Sequence, residues 1–399
     1  MTNLNIVIVG GGFAGVRMAT ALESTIEKTK EKYTIILVEK KSHFYHSIAG
    51  PRSTVDEIEE RLLVPYTNLF KNKRNQVIQA SAIRFEEHKL YLDKDVKNYG
   101  TSIDFAYLII ASGTDYAAPS KMPVVNYEDC LSYIRTARKQ ITNAESILII
   151  GGGPVGVELV GEIRDKFSPK QKKITLVHSG GSVGGHIMPQ KSKNKVLSLF
   201  KESQVNLILN DRVILPESAP LSTAFIPDEP IKTEKGETIN ADLVLIAYGS
   251  KPQSGWVKSS FPDTVSKEGY IDVKPTLQIN KAGLEHVLVL GDVADLKETK
   301  MAYRTEPHVA VAIQTIKSLF EGKKPTKEYK SGPNMMVVTY GKYHGTGMLP
   351  IFNITVGDRV TSLVKGKTLF IDKSWASLNL TPPSSNSNDG KDEDEDEFY

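Results

Sequence analysis

Ile6-Val7-Ile8-Val9-Gly10-Gly11-Gly12-Phe13-Ala14-Gly15 decides the fold. Four β-branched residues in a row predict a strand buried on both faces, and the glycines after them predict a tight turn that opens a helix. In a Gly-x-Gly-x-x-Gly turn, the first glycine (Gly10) makes the bend. The second (Gly12) lets backbone approach a pyrophosphate, and the third (Gly15) lets helix and strand pack closely. Gly11 lies inside the same loop. Unpaired N–H groups and the helix dipole at such a helix start favour an anion. The pattern recurs where Ile147-Leu148-Ile149-Ile150 runs into Gly151-x-Gly153-x-x-Gly156. Two such turns in one chain imply two dinucleotides held face to face, a tightly bound flavin and an exchangeable nicotinamide.

Outward from the first turn, a strand over 5–9, a helix over about 14–27 and a strand over 34–38 form a β-α-β unit. Glu39 closes its second strand, 24 residues after Gly15. A carboxylate there suits ribose hydroxyls, although a surface Glu at a strand end reads the same way. Short strands are predicted over 76–83 and 89–92, and a buried run over 105–113 ends in small residues. A helix over 127–143 leads to the second unit, with its helix over about 155–167 and its strand over 173–177. A strand pair near 207–208 and 239–240 precedes the run 241–249, which ends in Gly249 and mirrors 105–113 as in an internal duplication. His286–Asp292 and a helix from about Pro307 to Phe320 follow, and then alternating residues over 335–348. Gly180–Gly185 lacks the Lys-Ser/Thr of a P-loop and is expected to be a flexible loop.

Composition narrows the chemistry. There is one cysteine, Cys130, so no Cys–Cys pair can carry electrons and no cysteine-ligated cluster can form. His43 and His46 have no acidic or cysteine partner at ligand spacing, so no metal is expected. No apolar run reaches the ~18 residues of a membrane span. Residue 2 is Thr, and strand begins near residue 4, so neither N-myristoylation nor a cleaved leader is expected and the default compartment is the cytoplasm. Over 389–397 seven acidic residues face one lysine; the whole chain is +3, so the remainder carries +9. That acidic stretch, after Pro and Ser, predicts a disordered tail over 381–399, either solubilising or slowing dinucleotide entry.

These motifs, in this order, resemble the two-dinucleotide flavoprotein reductases of the pyridine nucleotide-disulfide reductase superfamily. Within them the chain is most similar to the apoptosis-inducing-factor-like and ferroptosis-suppressor-like group. The finer marks are Gly151–Glu158, Ile174–Ser179, Gly291-Asp-Val-Ala-Asp295 with Lys300-Met-Ala-Tyr303, and Ser374-Trp375. The resemblance implies an α/β fold with two Rossmann-like domains: FAD in a split domain over 1–120 and 270–330, and NAD(P)H in an inserted domain over 121–269. A small α+β C-terminal domain over 331–380 would follow. It also implies an NAD(P)H:quinone oxidoreductase. Gly291 and Asp292 look like the family turn that bonds the flavin ribityl chain. Arg52 and Lys121 stand where the family has basic FAD contacts. Ala82 would meet the adenine through backbone. Glu158 would lie near the nicotinamide amide and the flavin.

Hydride transfer needs position and electrostatics rather than a general base. The helix opening at Pro307, capped by Thr305 or Glu306, is expected to face the negative charge of reduced flavin. His308 and Tyr303 are candidate proton donors to a quinone, and read equally as a packed histidine and an aromatic wall. Glu158 has a plain structural hydrogen bond as its other reading. The second strand of the inserted unit ends His178-Ser179 with no carboxylate, so NADPH is expected to serve alongside NADH. A monodehydroascorbate-type or oxygen-reducing diaphorase, and a redox-sensing interaction protein, are the competing functions. No nucleic-acid motif is present. Monomer and homodimer, and weak association with an organelle or lipid-droplet surface, stay open. Trp375 reads equally as core and as an apolar surface.

Overall fold

The computed structural model describes residues 4–27, 33–350 and 354–384. Its first sheet has five strands in the order 287–289, 107–110, 4–9, 33–39 and 76–79, all parallel. The strand Leu4–Val9 lies at its centre. Ile6 and Ile8 face one apolar cluster, and Val7 and Val9 face the other. Burial on both sides explains the uninterrupted apolar run, and each such side chain contributes roughly 1.5–3 kcal/mol. The helix Phe13–Ile26 starts directly from Gly12.

The second sheet repeats the plan with four parallel strands in the order 206–209, 173–178, 146–150 and 243–246. Ile147 and Ile149 face one cluster, and Leu148 and Ile150 the other. The helix Pro154–Lys166 follows its glycine turn, with Pro154 in the first turn where the missing N–H is tolerated. The fold is α/β, with two Rossmann-like units and a smaller α+β unit built on the antiparallel strands Met336–Tyr340, His344–Met348 and Thr355–Val356.

Several predicted elements are corrected. The run over 76–83 is two strands: Gln76–Gln79 joins the first sheet, whereas Ala82–Glu86 pairs antiparallel with Lys89–Val96. The break falls where the Ala80 amide bonds the Glu39 carbonyl, 3.0 Å. The pair near 207 and 239 does not form: Asn206–Leu209 is an edge of the second sheet, and Thr238–Ile239 pairs with Ile231–Thr233. The helix predicted from Pro307 begins at Thr305, with Arg304 as its cap residue. Gly180–Gly185 is a loop, as expected, and the Gly184 amide bonds the Gly152 carbonyl of the second turn at 2.7 Å. The helix Gln190–Glu202 was not predicted.

The last part of the described chain crosses both units. Lys365 Nζ bonds Glu158, Arg52 Nη1 donates to the Gly366 carbonyl at 2.6 Å, and His46 Nε2 donates to the Leu369 carbonyl at 2.7 Å. Trp375, in the helix Ile371–Ser377, is buried and donates to the Arg61 carbonyl at 2.8 Å, so it is core. Gly161 admits the end of the strand Met336–Tyr340 closely; a Cβ there would lie 2.4 Å from Tyr340 Cα. Thr2 and residues 385–399, which include the acidic stretch, lie outside the described residues.

Candidate functional site

Each glycine turn has two sealed positions and one open one. Gly10 has φ +108°, and a Cβ on it would lie 2.3 Å from the Ala111 carbonyl oxygen. A Cβ on Gly15 would lie 1.7 Å from the Gly10 carbonyl oxygen. Around Gly12 a Cβ meets nothing within 4 Å. The second turn repeats this: Gly151 has φ +113°, Gly156 is closed at 1.9 Å by the Gly151 carbonyl, and Gly153 is open. Backbone at Gly12 and Gly153 is therefore accessible, at a helix start, to a pyrophosphate.

Glu39 stands at the mouth of the first turn. Its carboxylate accepts from the amides of Gly11, 2.5 Å, and Lys41, 2.9 Å. Tyr66 holds the other side of Gly11 by donating to its carbonyl at 2.7 Å. Ala82 begins the strand two residues beyond Ala80. Asp292 lies past the end of the strand Val287–Val289, on the turn at Gly291, which has φ +76°. Burial raises its pKa, against the opposing charges of Lys121 and Lys300 and a 3.4 Å bond from Thr114. Tyr116 also feels that carboxylate. Gly10, Gly12, Gly15, Glu39, Lys121 and Asp292 thus gather at the carboxyl ends of the first sheet. In doubly wound folds that crevice takes the ligand.

In the second unit His178 Nδ1 accepts from the Gly152 amide at 3.2 Å. Burial lowers the pKa of His178, so the ring is neutral. Ser179 beside it is exposed, and Gly249, φ +81°, has open space where a Cβ would be. No carboxylate ends this strand.

Other expected residues are engaged elsewhere. Arg52 is buried, and its Nε and Nη2 grip the two oxygens of Glu162 at 2.9 and 3.0 Å. With Nη1 on Gly366, three of its donors face the second unit and the C-terminal segment rather than the first glycine turn. Glu158 accepts from Lys365 and from the Thr339 amide, 3.2 Å, so it joins the second helix to the C-terminal strands. Tyr303 accepts from the Met335 amide at 3.1 Å. His308 uses both ring nitrogens: Nδ1 accepts from the Gly291 amide at 3.1 Å, and Nε2 donates to Glu298 at 2.8 Å. Sequence reasoning missed Thr114, Tyr116, Lys300, Glu298 and Lys365. Only Lys300, inside a quoted motif, carried a signal.

The profile of the pyridine nucleotide-disulphide oxidoreductase family matches residues 4–315. The chain belongs to that family. It is 34% identical over 396 residues to apoptosis-inducing factor homolog B of Dictyostelium discoideum, covering 95% of this chain and 97% of that one. It is 27% identical over 388 residues to ferroptosis suppressor protein 1 of Homo sapiens, covering 95% and 97%. Among solved structures, the sulfide:quinone oxidoreductase of Aquifex aeolicus superposes with a TM-score of 0.72 at 17% identity, covering 94% and 92%. Like other members of the pyridine nucleotide-disulphide oxidoreductase family, this chain is an NAD(P)H-dependent flavoprotein oxidoreductase that uses FAD. The paired glycine cradles fit that requirement. Among the described residues no helix is long and apolar enough to cross a membrane.

Proposed function

We propose that this enzyme passes reducing equivalents from NAD(P)H through FAD to a quinone-type acceptor, without a protein disulfide. The observation that carries this reading is the lone thiol. Cys130 is fully buried, and burial pushes its pKa up to about 11, so it neither pairs nor ionises near neutrality. Electrons therefore leave FAD directly for the acceptor. A fold neighbour named as a sulfide:quinone oxidoreductase supports the same reading.

In this reading the FAD unit spans 1–120 and 270–330, the NAD(P)H unit 121–269 and a C-terminal unit 331–380. Return of the strand Val287–Val289 to the first sheet supports the split. Gly10, Gly12 and Gly15 cradle the FAD pyrophosphate, Glu39 takes the ribose hydroxyls, and Asp292 takes the ribityl chain. Gly151, Gly153 and Gly156 cradle NAD(P)H, with Ser179 and neutral His178 beside the ribose. Bound FAD supplies the switch between a two-electron donor and the acceptor. The first turn of the helix Thr305–Phe320 directs its partial positive charge toward the flavin. His308, with both nitrogens engaged, serves in holding Gly291 rather than in donating a proton.

The test is an anaerobic titration of the purified yellow protein. NADPH should bleach the flavin, and a short-chain ubiquinone analogue should restore it. A flavin that bleaches and ignores quinone would move the acceptor to ascorbyl radical, oxygen or a protein.

A further inference from the structure

Glu298 belongs to none of the motifs, yet its side chain is 1% exposed and it is the hub of a buried network. One oxygen accepts from His308 Nε2 at 2.8 Å. The other accepts from the Tyr329 hydroxyl, and from Ser331 Oγ at 3.0 Å, and lies 3.7 Å from Arg304 Nε. Arg304 in turn donates to the Gly332 carbonyl and to Asn334 Oδ1, at 2.8 and 3.0 Å. Burial opposes the charge on Glu298, but the bonds from His308, Tyr329 and Ser331 outweigh it and hold the pKa below the usual carboxylate range.

The consequence for His308 is a matter of donor counting. A backbone amide only donates, so Nδ1, which receives the Gly291 N–H, carries a lone pair. A carboxylate only accepts, so Nε2, which faces Glu298, carries the proton. The opposite tautomer would set two N–H groups against each other at Gly291 and leave two acceptors facing at Glu298. Gly291 is the left-handed turn that sets the next residue, Asp292, in the crevice.

We infer that Glu298 is a positioning residue for the flavin pocket: it fixes the His308 tautomer, and through it the Gly291–Asp292 turn. The inference rests on the proposed placement of FAD at Asp292 and is independent of the acceptor. It also joins the linker 329–334 to the cofactor turn, since Tyr329 and Ser331 bond the same carboxylate.

The experiment follows FAD release from the holoenzyme by recovery of free flavin fluorescence, alongside 15N NMR of histidine-labelled holoenzyme. Wild type should show His308 with a bare Nδ1 and a protonated Nε2. Glu298→Leu, which offers no acceptor, should release FAD about tenfold faster, as expected for loss of a buried charged partner, and should show mixed tautomers. Glu298→Gln, which keeps an acceptor oxygen, should release FAD close to the wild-type rate. A wild-type proton on Nδ1, wild-type release from Glu298→Leu, or Glu298→Gln behaving like Leu would each overturn the inference. Should Glu298→Leu fail to fold, the wild-type spectrum and the Gln variant decide. Asp292→Ala separates the two levels. Its releasing FAD at the wild-type rate would remove the placement itself; fast release there with normal release from Glu298→Leu removes only the role of Glu298.

Discussion

Arg52 and Glu162 form a buried ion pair closed at two points, 2.9 Å at Nε and 3.0 Å at Nη2. Both side chains are less than 5% exposed, and the pair joins the short Pro51 helix to the helix Pro154–Lys166. Removing one partner strands the other charge in the interior. Glu162→Ala is expected to cost roughly 3–5 kcal/mol of unfolding free energy. The double replacement Arg52→Met with Glu162→Leu should recover most of that. Urea denaturation of the three proteins measures it, and a single variant as stable as wild type would refute the burial argument.

The open and sealed glycines separate folding from cofactor binding. Gly12→Ala adds a methyl where nothing lies within 4 Å, so the protein should fold with near-normal circular dichroism. That methyl points toward the proposed pyrophosphate site, and the purified variant should carry little or no FAD. Gly15→Ala sets a Cβ 1.7 Å from the Gly10 carbonyl and should fail earlier, as a loss of folded protein. Flavin absorbance per folded protein distinguishes the two. Full occupancy in Gly12→Ala would displace FAD from this turn.

Two buried histidines make stability depend on pH. Burial lowers His43 and His46 from 6.5 to about 4. Their neutral rings therefore contribute full stability above about pH 6.5, where the unfolded chain is also neutral. Below that pH the unfolded chain takes up protons first, and the contribution is lost as pH falls toward 4. Unfolding free energy should fall between pH 6.5 and 4 by at most about 2.7 kcal/mol per pH unit from the pair. His46→Gln should make the slope shallower. A flat profile through this window would show that the rings titrate normally.

Discrimination between nicotinamide cofactors should be movable by one charge. Ser179 is exposed at the end of a strand that lacks a carboxylate. Wild type should use NADPH and NADH with kcat/KM within about tenfold of each other, that is within about 1.4 kcal/mol. Ser179→Glu should lower kcat/KM for NADPH by at least about tenfold and leave NADH nearly unchanged, through repulsion of the 2′-phosphate. Equal effects on both cofactors would place the ribose elsewhere.

Both sheets were legible because their central strands are unbroken apolar runs that end in spaced glycines, a pattern fixed by local geometry. The helix Tyr127–Asn143 matches its predicted limits, since its apolar positions keep a helical period and Asn126 precedes it. The helix Gln190–Glu202 was missed because its first half is polar; Ser192, Val196, Leu199 and Phe200 are what it buries. The stretches near 207 and 239 do not pair because each has a partner elsewhere: Asn206–Leu209 extends the second parallel sheet and Thr238–Ile239 closes on Ile231–Thr233. Lys365 meets Glu158 across 207 residues, and Glu298 meets His308 through an irregular loop. No periodicity announces such contacts, so the chemistry of the individual residues was visible but their partners were not.

The brace at Lys365, Gly366, Leu369 and Trp375 also imposes an order in time. A chain is made from its N-terminus, so both glycine cradles leave the ribosome before the segment that completes the tie between them. Each can fold around its own sheet, yet hydride transfer depends on a separation that neither sets alone. Synthesis halted near residue 360 would thus yield two formed nucleotide folds joined by the Arg52–Glu162 pair but lacking the contacts of Lys365 with Glu158 and of Arg52 with Gly366. The segment over 365–375 completes the tie that the Arg52–Glu162 pair begins.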